Sequence, residues 1–356
     1  MTSKERVFNT LNRKSIDRIA LFDYLFQKDI YEYSIGKSPS TYNSADIACA
    51  CHALSIDIAA ITTGSAKGVE PEWIDSNTYI DEWRTTRRVD PASWPTDAPI
   101  AFPISCRKDY NQYVWPDPTI DSRYEEIDIG IEYCNKFSIV AAGSVLGPLS
   151  LAWLLVGPEE LFIMMYEDPE LVEDIFKRSN EYFIESAKRQ IDAGVDIIFV
   201  AEDLGHNTGG FVSNKMFRDL ILPYLNELIE WIQIPVFLHS CGNINEYLDD
   251  LTEMNFSAIH PLQRSAGMDI GKAFEKYGDK MCFIGNVDSS VELPLGTEED
   301  VRRQTRECID AAKNNRLILA SDHSLHDGIP VRNILAMLDE AKKYGRQCQE
   351  LKICQK

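Results

Sequence analysis

From residue 137 onward the chain alternates short apolar runs with longer amphipathic stretches, and this rhythm restricts its fold more than any other feature. The runs at 138–142, 195–200, 234–238, 257–259, 281–285 and 317–320 have the length and β-branching of buried strands. Two earlier runs, 18–22 and 56–61, raise the number of strand–helix units to that of a closed barrel. Apolar strands separated by helices must lie parallel, because each crossover returns the chain to the same edge and covers the sheet with a helix. No glycine-rich phosphate loop of the dinucleotide or P-loop type interrupts the series, so a barrel is preferred to a doubly wound sheet. The expected fold is α/β, a single (β/α)8 TIM barrel over residues 1–356 with an N-terminal extension.

One stretch breaks the rhythm. Residues 64–119 hold Trp73, Trp83, Trp94 and Trp115 among Pro71, Pro91, Pro95, Pro99, Pro103, Pro116 and Pro118. Such a composition resists a helix and suggests an irregular cap, a meander of short strands and loops sealed onto the barrel by its aromatics. The formal net charge of −20 argues against nucleic acid and anionic membrane surfaces as partners. No apolar run has the length of a membrane span, and the opening residues lack a signal-peptide core. Nine cysteines, an odd number without scaffold spacing, suit a reducing cytoplasm. The acidic surface is compatible with a monomer or a homodimer.

In a barrel the chemistry collects at the carboxyl ends of the strands. Those ends carry Glu202 and Asp203, then His239-Ser-Cys241, His260, Asn286 with Asp288, and Asp322-His323. Three of the six histidines fall there, a concentration that packing alone does not explain. His239 and Cys241, two residues apart at a strand end, present nitrogen and sulfur on one side to a soft or borderline cation, most commonly zinc. His323 converges on them if its strand faces the same mouth, and Glu202 is either a fourth ligand or a hydrogen-bonded carboxylate. Asp203 is expected to orient an imidazole, and His260 either packs or contacts substrate.

These residues resemble the uroporphyrinogen decarboxylase superfamily, in its cobamide-dependent methyltransferase branch. The likeness runs through Lys4-Glu-Arg-Val-Phe with Asp17-Arg18-Ile, Ser144-Val-Leu-Gly-Pro148, and Leu222-Pro-Tyr224. It continues through Phe237-Leu-His239-Ser-Cys241-Gly242-Asn243, Gly285-Asn286-Val287-Asp288, and Leu319-Ala-Ser-Asp-His323. The resemblance implies zinc held by His239, Cys241 and His323, with Glu202 as a further ligand. It also implies methyl transfer between a small methylated substrate and a cobamide; the chain lacks the Asp-x-His-x-x-Gly element that binds a corrinoid, so a partner corrinoid protein must carry it. Glu202, Asp203 and Asn286 are then the expected catalytic and orienting groups, with Tyr224, Asp288 and His260 toward substrate.

Two departures matter. The arginine cluster with which decarboxylases grip porphyrin carboxylates is missing, since no arginine follows Arg18 until Arg84. His323 also stands where thiol-activating members usually place a cysteine. One thiolate and two imidazoles leave zinc more positive than two thiolates and one imidazole, hence a stronger Lewis acid. That favours O-demethylation of a methoxylated aromatic over methylation of a thiol, with the tryptophan-rich cap suited to an aryl ring.

Overall fold

The structure, a computed structural model, describes residues 1–39, 43–90, 97–312 and 316–354. Eight parallel strands surround the axis: β1 (Ala20–Leu21), β2 (Ile58–Ala60), β3 (Val140–Leu146), β4 (Ile197–Ala201), β5 (Val236–His239), β6 (Ala258–His260), β7 (Cys282–Ile284) and β8 (Leu317–Leu319). Their order is β1-β8-β7-β6-β5-β4-β3-β2. The seam between β1 and β2 is closed by Asp57, whose backbone N–H bonds the Leu21 carbonyl at 2.9 Å. Its carboxylate also accepts the Leu21 N–H at 2.8 Å.

Strand periodicity sorts the core into two parts. Alternate residues, among them Phe22, Ile58, Ala142, Phe199, Phe237 and Ile318, fill the barrel interior. Their neighbours Leu21, Ile198, Leu238 and Phe283 face the helices and join the larger outer core. Phenylalanine mixed with alanine and isoleucine lets side chains of unequal size interleave in a narrow cylinder. The N-terminal helix Ser3–Leu11, started by a Thr2–Glu5 capping box, lays Val7 against the interior cluster.

Several boundaries differ from the sequence expectation, each for a local reason. The helical stretch expected over 158–193 is two helices, Pro158–Glu167 and Pro169–Ala193. Pro169 has no N–H to continue the first helix, and Asp168 caps the second through the Leu171 N–H at 3.1 Å. The helix expected after Asn243 shrinks to Leu248–Leu251. The Asn243 carboxamide bonds the Asn245 N–H at 3.1 Å, so it forms a turn where a helix cap was expected. In the helix expected from 215, a π-helical turn at Phe217–Ile221 precedes Pro223, which lacks the N–H for an ordinary turn.

The segment 64–119 holds the short strands that its composition suggested, paired as a regular meander. Strands Glu72–Trp73, Thr78–Ile80, Thr86–Arg88 and Ala98–Ala101 form one antiparallel sheet in that order, followed by helix Arg107–Gln112. Such short strands are specified by cross-strand pairing, which local composition does not reveal. Pro91, Trp94 and Pro95 lie outside the described residues. The cap is tied to the body by Thr85 Oγ1 on the Leu154 carbonyl at 2.7 Å and by the Glu82–Arg123 ion pair. Among the described residues no single helix is long and apolar enough to cross a membrane.

Candidate metal centre at the barrel mouth

Phe237 points into the barrel, so His239 two residues on points inward too, at the carboxyl end of β5. His260 of β6 is its register partner and is likewise inward. The two imidazoles meet through their Nδ1 atoms at 2.7 Å. That contact turns His239 Nε2 toward Cys241, whose Sγ lies 3.3 Å away. Glycine at 242 makes the turn possible: its φ is +79°, and a Cβ there would strike the Gly205 carbonyl. Ser240 ties the same turn to the loop after β4, accepting the Leu204 N–H at 3.0 Å.

Asp203 completes the cluster. Its Oδ1 accepts the Cys241 backbone N–H at 2.8 Å. Oxygen, nitrogen and sulfur donors of Asp203, His239 and Cys241 all lie within 4.8 Å of one another. Burial pushes the His239 pKa down to about 4, against the pull of the Asp203 carboxylate, so its lone pair is free at neutral pH. Burial and the same carboxylate push the Cys241 thiol well up. A divalent cation reverses that balance by making the thiolate the favoured form. The set therefore fits a borderline cation such as zinc: a carboxylate, an imidazole and a thiol, with the second imidazole nitrogen engaged by His260.

Other expected residues are placed differently. His323 faces the same mouth from beyond β8, but its ring centroid is 6.3 Å from that of His239. His323 therefore borders the cluster of Asp203, His239 and Cys241. Glu202 stands outside it. Its carboxylate accepts the N–H groups of Leu149 and Ser150, each at 2.9 Å, at the start of helix Pro148–Val156. Those orphan donors draw it away from the mouth's centre, and the neighbouring Asp203 supplies the oxygen instead. Burial nonetheless pushes the Glu202 pKa up to about 8.

Asn286 is fully buried and donates to the Leu262 carbonyl at 2.8 Å, joining the ends of β6 and β7. Asp288 caps a turn, accepting the Ser290 and Val291 N–H groups at 2.7 and 2.9 Å. Tyr224 lies between outer helices, with its hydroxyl 3.1 Å from Glu173 and its ring against Phe176.

One neighbour escaped the sequence reading. Tyr24, beyond β1, sets its ring edge-on to both His239 and His260 at 5.6 Å. Burial and the nearby Cys241 and Asp203 push its phenol pKa up. The signal was the alternation Phe22, Tyr24, Phe26 running past the strand on its inward side.

With this geometry in place, the likeness to known proteins becomes interpretable. Residues 101–344 match the family model described as uroporphyrinogen decarboxylase (URO-D). The chain is 24% identical over 214 residues to a methylated-thiol–coenzyme M methyltransferase of Methanosarcina mazei, covering 58% of this chain and 52% of that protein. It is 22% identical over 202 residues to a methylcobamide:CoM methyltransferase of Methanosarcina barkeri, covering 57% and 58%. A uroporphyrinogen decarboxylase of Psychromonas ingrahamii is 24% identical over 252 residues, covering 67% and 68%. The chain thus spans between half and about two thirds of the length of these relatives. A solved methyltransferase structure from Methanosarcina mazei shares the fold, with a TM-score of 0.75 over 97% of this chain and 99% of that one at 18% identity.

Proposed function

The chain belongs to the uroporphyrinogen decarboxylase (URO-D) family, and on that premise we propose that it is a zinc-dependent methyltransferase working with a corrinoid protein. A methyl group passes between a small methylated substrate and the cobamide that the partner carries. The observation that carries this reading is the thiol, imidazole and carboxylate gathered within 4.8 Å at the mouth. The printed activities of the Methanosarcina relatives support it.

Asp203, His239 and Cys241 would hold the ion, with His323 beside them. When bound, zinc supplies Lewis acidity at the heteroatom that bears the methyl group. With the ion on Nε2, His239 would carry its proton on Nδ1 and donate a hydrogen bond to His260 Nδ1, 2.7 Å away. Asp203 anchors the Cys241 backbone and so holds the thiol at its distance from the imidazole. Tyr24 walls the two imidazoles against water. His323, neutral because burial lowers its pKa, faces the open side and hydrogen-bonds the departing group.

O-demethylation of a methoxylated aromatic remains the preferred direction, on altered grounds. With Asp203 in the set, the formal charge equals that of two thiolates and one imidazole, so the expected charge advantage disappears. The difference left is that a carboxylate donates less electron density than a thiolate. Methylation of a thiol from methylcobamide is the second reading, favoured by the names of the Methanosarcina relatives. Decarboxylation of a tetrapyrrole has less support, because Arg18 is spent at the opposite end of the barrel on Asp57.

The test is zinc quantitation joined to methyl transfer from 2-methoxyphenol to cob(I)alamin or its carrier protein. Wild type is expected to bind one zinc and transfer the methyl group, and Cys241→Ala to lose both while keeping its circular dichroism. Full methyl transfer by zinc-free Cys241→Ala overturns the proposal.

A further inference from the structure

Beneath the cap lies a cavity of about 320 Å³, the small end of the range for ligand sites. Its floor is Ser144 and Leu146 of β3 and Ala201 of β4, at the carboxyl ends of those strands. Ala201 is the register neighbour of His239, so the cavity adjoins the candidate metal centre across one strand spacing. Its roof is Trp83 of the cap, which packs edge-on against Tyr182 at 4.8 Å. Trp83 precedes the stretch that matches the family model, residues 101–344, so the roof is not part of the matched region.

The charged groups of this cavity are all engaged in ion pairs. Arg123 pairs with both oxygens of Glu82 and gives its Nε–H to the Asp117 carbonyl at 2.7 Å. Asp81 pairs with Arg87 and accepts the Thr85 N–H at 3.0 Å. No cation among the lining residues is left to meet a bound carboxylate. The hydroxyls of Ser144 and Tyr182 have no hydrogen-bond partner among the described residues, and burial keeps the Tyr182 phenol protonated. The lining therefore offers aromatic faces and neutral hydroxyls.

We infer that this cavity takes the ring of an uncharged one-ring aromatic substrate and rejects aromatic carboxylates. The inference rests on the demethylase reading above and adds to it which methoxylated aromatics qualify. An anion placed here would give up its hydration without gaining a counter-charge. A neutral methoxyphenol leaves its hydration for ring contacts and hydroxyl hydrogen bonds.

Calorimetric titration of the full chain with 2-methoxyphenol and with 4-hydroxy-3-methoxybenzoate tests it without any turnover. Wild type is expected to prefer the neutral ring by about a hundredfold, and Trp83→Ala to weaken that ring by about tenfold. Glu82→Gln frees the Arg123 guanidinium and should improve binding of the benzoate, a gain that misfolding cannot produce. Equal or tighter binding of the benzoate by wild type overturns the inference. So does an unchanged affinity for 2-methoxyphenol in Trp83→Ala, a failure of Glu82→Gln to gain the benzoate, or no binding of either ring. Ring binding without methyl transfer to cob(I)alamin leaves the cavity assignment standing and sinks the proposed reaction. Transfer from non-aromatic donors without ring binding does the reverse.

Discussion

The two ends of this barrel bury ionisable groups in opposite ways. At the foot, Asp57 is fully buried and meets Arg6 at 2.6 Å and Arg18 at 2.8 Å, besides the Leu21 N–H. Each of its oxygens is paired. At the mouth, His260 Nε2 is buried without a hydrogen-bond partner among the described residues, and Asp23 and Glu202, which accept N–H groups of Ser321, Leu149 and Ser150 but meet no cation among those residues, are raised by burial to about 7 and about 8. The foot has spent its charges on holding strands together; the mouth keeps groups whose protonation and ligation are still open. Buried charges met by a counter-charge mark structure, and buried ionisable groups without one mark a candidate site.

That contrast is broken most forcefully at the foot. Asp57→Ala leaves two buried guanidinium groups without a partner and opens the β1–β2 seam. The expected loss is about 3–5 kcal/mol, read as a shift of the urea midpoint; a loss below about 1 kcal/mol would mean the foot does not hold the barrel closed. Gly242→Ala comes next, at about 2 kcal/mol, from its positive φ and the close Gly205 carbonyl. Because it displaces Cys241, zinc affinity should fall with stability in the same titration.

His260→Ala sharpens the mouth side. It removes the imidazole that orients His239, so zinc affinity should drop about 10–100-fold, beyond what the lost packing costs the zinc-free protein in stability. A larger effect on melting than on zinc binding would make His260 a packing residue only.

The pH dependence has opposite signs at the two ends. Burial raises the Asp17 pKa, but hydrogen bonding and charge from Arg6 outweigh it and bring it to about 2 from 3.8. Its contribution is full above the unfolded value and fades as pH falls toward 2. Glu202 is raised from 4.5 to about 8, so the folded state holds its proton longer and stability declines as pH rises between those values. Asp17→Asn should therefore flatten the acid side of the stability profile, and Glu202→Gln the side between pH 5 and 8. Denaturation midpoints across pH 3 to 8 check both; parallel profiles for the two variants would erase the distinction between the ends.

How much of this was legible beforehand follows the range of the interactions. The barrel was legible because each of its strands announces itself in a few consecutive residues. Cys241 beside His239 was legible for the same reason, since two residues along a strand return to one side. The choice of carboxylate was not. Glu202 and Asp203 are adjacent in sequence, and only the N–H groups of Leu149 and Ser150, more than fifty residues away, assign one to a helix end and leave the other at the mouth. Composition suggested the cap's short strands, but not their pairing register, nor that Glu82 neutralises Arg123 beneath it.

The sequence by itself determined the strand-and-helix alternation, the carboxyl-end location of the reactive residues, and the imidazole–thiol pair, because these depend on periodicities that local sterics impose. The tertiary structure alone decided that His260 aligns with His239, that Asp203 lies beside His239 and Cys241, that His323 borders them, and that Tyr24 packs against both imidazoles. Those outcomes depend on strand register and on partners supplied by distant turns. Beyond the end of a strand no short-range rule says which way a side chain will face.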